Sequence, residues 1–158
     1  MTRSDLAART VSSARHRTQC WEAGPIDGPL MIFLHGWPGN GLLWHAQVEA
    51  FASLGWHCVA PDMRGYAGSS APTTVDGYAI QEIVGDMVEL HEHLGAYPAV
   101  WVGHDLGSPV AAALAAHHAA RAGDLNGLLD ALGVPEAILV GHDWGATHTT
   151  ELFCLGAG

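Results

Sequence analysis

A carboxylate framed by glycines occurs twice in this chain, at Gly103-His104-Asp105-Leu106-Gly107 and at Gly141-His142-Asp143-Trp144-Gly145. An aspartate with a reference pKa of about 3.9 is ionised at neutral pH. Such a carboxylate can open an epoxide or displace a halide at carbon, leaving a covalent ester on the protein. Hydrolysis of that ester passes through an oxyanion, which backbone N–H groups must hold. The frame small-x-Asp-x-small between a strand and a helix is the signature of a nucleophile elbow. Its glycines relieve a turn too tight for side chains, and its central residue is forced into strained geometry at the strand tip. The plainer reading of Asp105 is an N-cap for the helix that follows. The glycines on both sides favour the nucleophile.

The elements that must position these residues are legible in the hydrophobic pattern. Each copy ends a short apolar run, Ala99-Val100-Trp101-Val102 and Ala137-Ile138-Leu139-Val140, and precedes an Ala- or Thr-rich stretch. Leu30-Met31-Ile32-Phe33-Leu34 is a continuous apolar run, as in a parallel strand buried on both faces. It runs into His35-Gly36-Trp37-Pro38-Gly39. Helical spacing predicts a helix over Leu42 to Leu54, and His57-Cys58-Val59-Ala60 a second strand stopped at Pro61. Pro61 to Ser70 is a loop by its Gly, Pro and Ser content. A helix follows over Tyr78 to Leu94, with Ile80, Ile83, Met87, Leu90 and Leu94 on one face and Gly95 closing it. A strand or hairpin is expected over 14–23 and a helix over 108–120. Strands alternating with helices define an α/β class with right-handed crossovers. Sites in such sheets form at the carboxyl ends of the strands. The His35-Gly36-Trp37 turn, the Arg64 loop and Asp105 all lie there.

Composition narrows the field. The 158 residues suit one domain with a real core. The net charge is −10 and all six basic residues are arginine, four of them within the first seventeen positions. That balance has no basic stripe to neutralise phosphates, so nucleic acid is not expected as a partner. Cys20, Cys58 and Cys154 are scattered, without metal-ligand spacing, and read as small core residues in a reducing compartment. No apolar leader precedes Ser13, and the stretch Pro109 to Ala120 is too short to span a bilayer. A soluble, cytoplasmic chain with no membrane partner, metal or cofactor is the expectation.

The two elbows belong to a longer repeat. Residues 86–108 and 124–146 align without a gap, offset by 143 − 105 = 38, and ten of the 23 positions are identical. Two copies do not make a solenoid. The repeated unit is helix, strand, elbow and the start of a helix.

Taken in order, His35-Gly36-Trp37-Pro38, Pro61-Asp62-Met63-Arg64-Gly65-Tyr66 and Gly103-His104-Asp105-Leu106-Gly107 resemble an α/β-hydrolase of the epoxide hydrolase type. The resemblance runs from about residue 14 to residue 120. It implies a partial α/β-hydrolase fold, mostly parallel, with helices on both faces and no cap domain, in a single incomplete core over 1–158. It also implies Asp105 as nucleophile, with Asp143 as the duplicate-elbow alternative. The amides of Trp37 and Leu106 would form the oxyanion hole, Trp37 would add a substrate wall, and a cis Trp37–Pro38 bond would suit the turn. His35 and His104 then read as structural histidines beneath the elbow, Arg64 as a loop anchor paired with a carboxylate such as Asp62, and Ser108 as a first-turn residue. The implied partner is a small epoxide or halogenated molecule. In this family a late acid, a histidine and two cap tyrosines complete the site. Here the tyrosines Tyr66, Tyr78 and Tyr97 all precede Asp105, and His117, His118, His142 and His148 lie in no recognisable late-strand loop. The alternatives are a haloalkane or haloacetate dehalogenase, and a non-catalytic product of two related genes joined near the helix before the elbow.

Overall fold

The computed structural model describes residues 6–95 and 99–117. The second elbow, with Asp143, His142 and Trp144, and the second half of the repeat lie outside the described residues.

Five strands form one sheet in the order β1-β2-β4-β3-β5. Strands β1 (Ala7–Ser12) and β2 (Arg17–Ala23) make a hairpin, and β2 runs antiparallel to β4 (His57–Pro61). Strand β3 (Leu30–Leu34) lies between β4 and β5 (Ala99–Gly103) and is parallel to both. The expectation of a mostly parallel sheet therefore holds for the half that carries the three motifs. The other half is antiparallel, and within it a link of four residues can join β1 to β2 only as a hairpin. Ser13 tightens that link by accepting the amides of Arg15 (3.1 Å) and His16 (3.0 Å) on its hydroxyl.

Helices cover both faces, as expected. Strand β3 alternates its side chains between them. Ile32 and Leu34 join Val59, Met87, Leu90, Val110 and Leu114 on the face covered by α2 (Ile80–His93) and α3 (Gly107–His117). Met31 and Phe33 join Val48, Trp56, Cys58 and Ala60 on the face covered by α1 (His45–Ser53). A strand buried on both sides has no polar face, which is why β3 is an unbroken apolar run. Phe33 anchors the α1 face, with its ring 5.3 Å from that of Trp44 and 6.1 Å from that of Phe51.

Two helices differ from their predicted extents. The helix expected over 42–54 is a 3₁₀ turn (Gly41–Trp44) followed by α1. Asn40 sets its start by accepting the Leu42 amide at 3.0 Å, a local cap that competes with a regular first turn. The helix expected from Tyr78 also opens as a 3₁₀ turn (Val75–Tyr78), and the extended ψ of 145° at Ala79 separates it from α2. Gly95 does close this helix, at φ 102°.

The double-sided core yields a first prediction. Phe33 is 1 % exposed, so Phe33→Ala should cost about 3–5 kcal/mol. Leu54→Ala, at a residue 73 % exposed, should stay within about 0.5 kcal/mol. Urea titration checks both, and near-equal losses would contradict this placement of the core.

Candidate active site

The site forms where β3 and β5 end side by side. Leu34 pairs with Gly103, and the His104 amide continues the ladder by donating to the Leu34 carbonyl at 3.1 Å. The chain then turns sharply into α3: the Gly107 amide donates to the His104 carbonyl (2.9 Å) and the Ser108 amide to the Asp105 carbonyl (3.0 Å). Asp105 sits at the apex with φ 51°, in the left-handed region that a residue with a Cβ rarely occupies. Its glycine frame is a matter of space, since a Cβ on Gly107 would overlap the Leu34 carbonyl and one on Gly103 would overlap Gly107. The strain is of the kind that persists only where its surroundings over-determine it.

The turn after β3 meets this apex. Gly36 packs so closely on Asp105 that a Cβ there would overlap the aspartate side chain. The Trp37 amide donates to Asp105 Oδ2 at 2.9 Å, and the Trp37–Pro38 bond is cis. One carboxylate oxygen is thus already seated on a backbone donor. Asp105 is 8 % exposed, whereas the Trp37 and Leu106 side chains flanking it are 70 % and 42 % exposed and form an apolar rim.

His35 lies beneath the rim and is fully buried. The Met63 amide donates to its Nε2 (3.0 Å), so that nitrogen carries no proton. Its Nδ1–H must then donate to the Gly36 carbonyl, also at 3.0 Å. Burial pushes the imidazole below its ordinary value, ahead of the opposing effects of the Gly36 hydrogen bond and the Asp62 charge. Neutral His35 therefore joins the end of β4 to the turn carrying Trp37. With both ring nitrogens engaged, it is a structural group, as expected.

Arg64 does not pair with Asp62. Its Nε and Nη2 donate to the two carboxylate oxygens of Asp86, each at 2.6 Å, and Asp86 is fully buried in α2. The planar guanidinium matches a carboxylate in this two-bond geometry. That hydrogen-bonded pair raises the Arg64 pKa against the effect of burial. Asp62 instead gathers N–H donors: Gly41 (2.8 Å) and the Trp21 indole (3.3 Å) on Oδ1, and Gly68 (3.3 Å) on Oδ2. It thereby pins β2, the 3₁₀ turn and the loop to one point. Asp86 had a signal in the sequence. It lies three residues after Ile83 and four before Leu90, on the apolar stripe of its helix, where an acid must find a buried cation.

Tyr66 follows from the same loop. Its ring meets the His35 ring edge-on, with centroids 4.8 Å apart. Burial, and next the negative charge of Asp105, raise its phenol above the ordinary tyrosine value. The two described cysteines are free and buried, and burial pushes Cys20 up to about 12 and Cys58 up to about 11. Both are inert at neutral pH. Among the described residues no cluster of three His, Cys, Asp or Glu side chains is placed to hold a metal ion, and no helix is long and apolar enough to cross a membrane.

A sheet of this topology, with an aspartate strained at the β5 tip and a backbone donor from the β3 turn, defines a class. The sequence profile of the α/β hydrolase fold family matches residues 29–122. The chain belongs to that family, and within it is epoxide hydrolase-like. It is 42 % identical over 102 residues to epoxide hydrolase A of Mycobacterium tuberculosis, a match covering 65 % of this chain and 32 % of that protein. It is also 42 % identical over 101 residues to epoxide hydrolase 3 of Mus musculus, covering 64 % of this chain and 27 % of the relative. An epoxide hydrolase from Vigna radiata superposes with a TM-score of 0.71 at 34 % identity, over 77 % of this chain and 39 % of that one. Epoxide hydrolase A from Mycobacterium thermoresistibile does so at 0.64 and 37 %, over 66 % and 33 %. The chain thus spans about a third of the length of these relatives.

The His35 bridge has a pH signature. In the unfolded chain His35 protonates near its ordinary value of about 6.5, while in the folded chain its lowered pKa keeps it neutral. The unfolded state therefore binds more protons below about pH 6.5, and stability is lost as pH falls from there toward the folded value. His16, lowered chiefly by burial, adds the same sign. His35→Gln supplies an uncharged acceptor and should flatten the slope of unfolding free energy between pH 7.5 and 5.5. A variant slope as steep as the parent's would contradict the role given to His35.

Proposed function

We propose that the chain carries the nucleophile and oxyanion elements of an epoxide hydrolase-type hydrolase, with Asp105 as the nucleophile. The observation that carries this reading is the Trp37 amide on Asp105 Oδ2, at an apex held in the left-handed region. With Oδ2 seated on a donor, Oδ1 is the oxygen left to react. Oδ1 attacks a ring carbon of the epoxide, a C–O ester bond forms, and the ring C–O bond breaks. The released oxygen takes a proton from solvent and becomes the hydroxyl of a hydroxyalkyl ester. Water attack at the ester carbon would then return the carboxylate and release a diol. The negative charge of that step would develop on Oδ2, against the Trp37 amide and, by resemblance, the Leu106 amide.

An epoxide suits this rim better than an alkyl halide. Dehalogenases often place a halide-holding Trp directly after the nucleophile, and Leu106 stands there instead. Asp143 with Trp144 is the second-copy counterpart of Asp105 and Leu106, and stands as the alternative nucleophile. Hydrolysis of the ester needs a base to activate water, and a polypeptide of these 158 residues alone is expected to form the ester once and keep it.

Intact-mass measurement after treatment with styrene oxide tests this. One stable addition is expected in the parent and none in Asp105→Asn. Rapid, repeated diol release would overturn the single turnover. A label lost in Asp143→Asn but kept in Asp105→Asn would move the nucleophile to the second copy.

A further inference from the structure

Among the described residues β1 forms one edge of the sheet and β5 the other, and the two edges differ. Strand β1 is largely exposed and carries a charge, Arg9, held 3.4 Å from Glu22. Charge on an edge strand keeps it from pairing with further chain. Strand β5, Ala99-Val100-Trp101-Val102-Gly103, has neither charge nor proline. Its backbone is also aimed outward. The His104 amide donates to the Leu34 carbonyl of β3, so by the alternation of a strand the amides of Trp101 and Gly103 point to the open edge.

The side chains show the same want of a neighbour. An all-apolar strand belongs where both faces are covered. Strand β3, flanked on each side, is buried throughout, whereas Val100, Trp101 and Val102 of β5 are only half-buried. Trp101 packs on the α2–α3 face, and Val100 and Val102 on the α1 face, so the shortfall lies on both sides of the sheet. The Trp101 indole nitrogen is buried and has no hydrogen-bond partner among the described residues. A helix would cover one face; a strand completes both and meets the outward amides.

We propose that residues 137–140, outside the described residues, pair with this edge as a parallel strand in the register of the repeat. Ala137-Ile138-Leu139-Val140 is an apolar run as long as Ala99-Val100-Trp101-Val102, and the same Gly-His-Asp-x-Gly frame follows it. Residues 104–136 suffice for a parallel crossover, which takes about a dozen residues or more, and α3 begins it on the α2 face. The tether also favours this run over the β5 edge of a second copy, since it holds the run near the edge at any protein concentration. With Gly141 beside Gly103, Asp143 stands one strand spacing from Asp105, about 4.8 Å between backbones. The pairing does not depend on which aspartate reacts.

Amide hydrogen exchange and NOE measurements on the full chain test it. In the parent, the Trp101 and Gly103 amides should exchange about a hundredfold or more slower than in an unstructured peptide, at any protein concentration. Cross-strand NOEs should join residues 99–103 to residues 137–141. Ile138→Pro removes a backbone donor from the added strand and should speed exchange at Trp101 and Gly103 at least tenfold, leaving Ile32 in β3 unchanged. Unchanged exchange at the two amides in that variant would contradict the pairing. Fast exchange at both in the parent, or no NOEs to 137–141, would overturn it without recourse to any variant. Protection that fades on dilution, with NOEs from β5 only between differently labelled copies, would overturn it in favour of a second molecule.

Discussion

One hydrogen bond organises this molecule: the Trp37 amide on Asp105 Oδ2, 2.9 Å long, between residues 68 positions apart. It can form only if two strand tips end level and nearly touching, and most of the structure follows from that demand. The parallel register of β3 with β5 brings Leu34 opposite Gly103. Gly36 and Gly107 then remove the side chains that would hold the two turns apart. Asp105 accepts a left-handed backbone so that its carboxylate points back at the β3 turn rather than along α3. In the oxyanion role proposed for it, the Trp37 amide would need no rearrangement when charge develops, which is where such sites gain most of their effect.

Two buried polar arrangements keep the donor in place. Neutral His35 accepts the Met63 amide and donates to the Gly36 carbonyl, so the turn carrying Trp37 is tied to the end of β4. The Arg64–Asp86 pair locks the following loop to α2 and holds Tyr66 against His35. A buried ion pair adds little net stability over apolar packing of the same volume, because desolvation offsets the attraction. Breaking it is costly, about 3–5 kcal/mol. Its value here is positional: Arg15 and His16 of the hairpin turn also approach Asp86, at 3.6 and 3.7 Å, so one carboxylate gathers the hairpin, the loop and the helix.

Much of this was legible in the sequence. The unbroken apolar run of β3 marked a strand buried on both faces, and it is one. The glycine frame around Asp105 announced a turn with no room for side chains, and Gly107 against the Leu34 carbonyl is that turn. Long-range partners were not legible in the same way. Arg64 lies two residues from Asp62, and proximity in sequence suggested that pair; the fold instead spends Asp62 on three N–H donors and brings Asp86 from a helix 22 residues away. Helix ends were blurred for a local reason, since the Asn40 cap and the extended Ala79 convert first turns to 3₁₀ geometry without disturbing the apolar spacing. The direction of the hairpin strands was set by a four-residue link that hydrophobic pattern does not encode.

The central claim is that Asp105 reacts through one oxygen while the other rests on the β3 turn. A crystal structure of the protein after treatment with styrene oxide tests it most directly. The account predicts a new carbon–oxygen bond at Asp105 Oδ1, with Oδ2 still within hydrogen-bonding distance of the Trp37 amide. A bond at Oδ2, or an adduct on any other side chain, would contradict it.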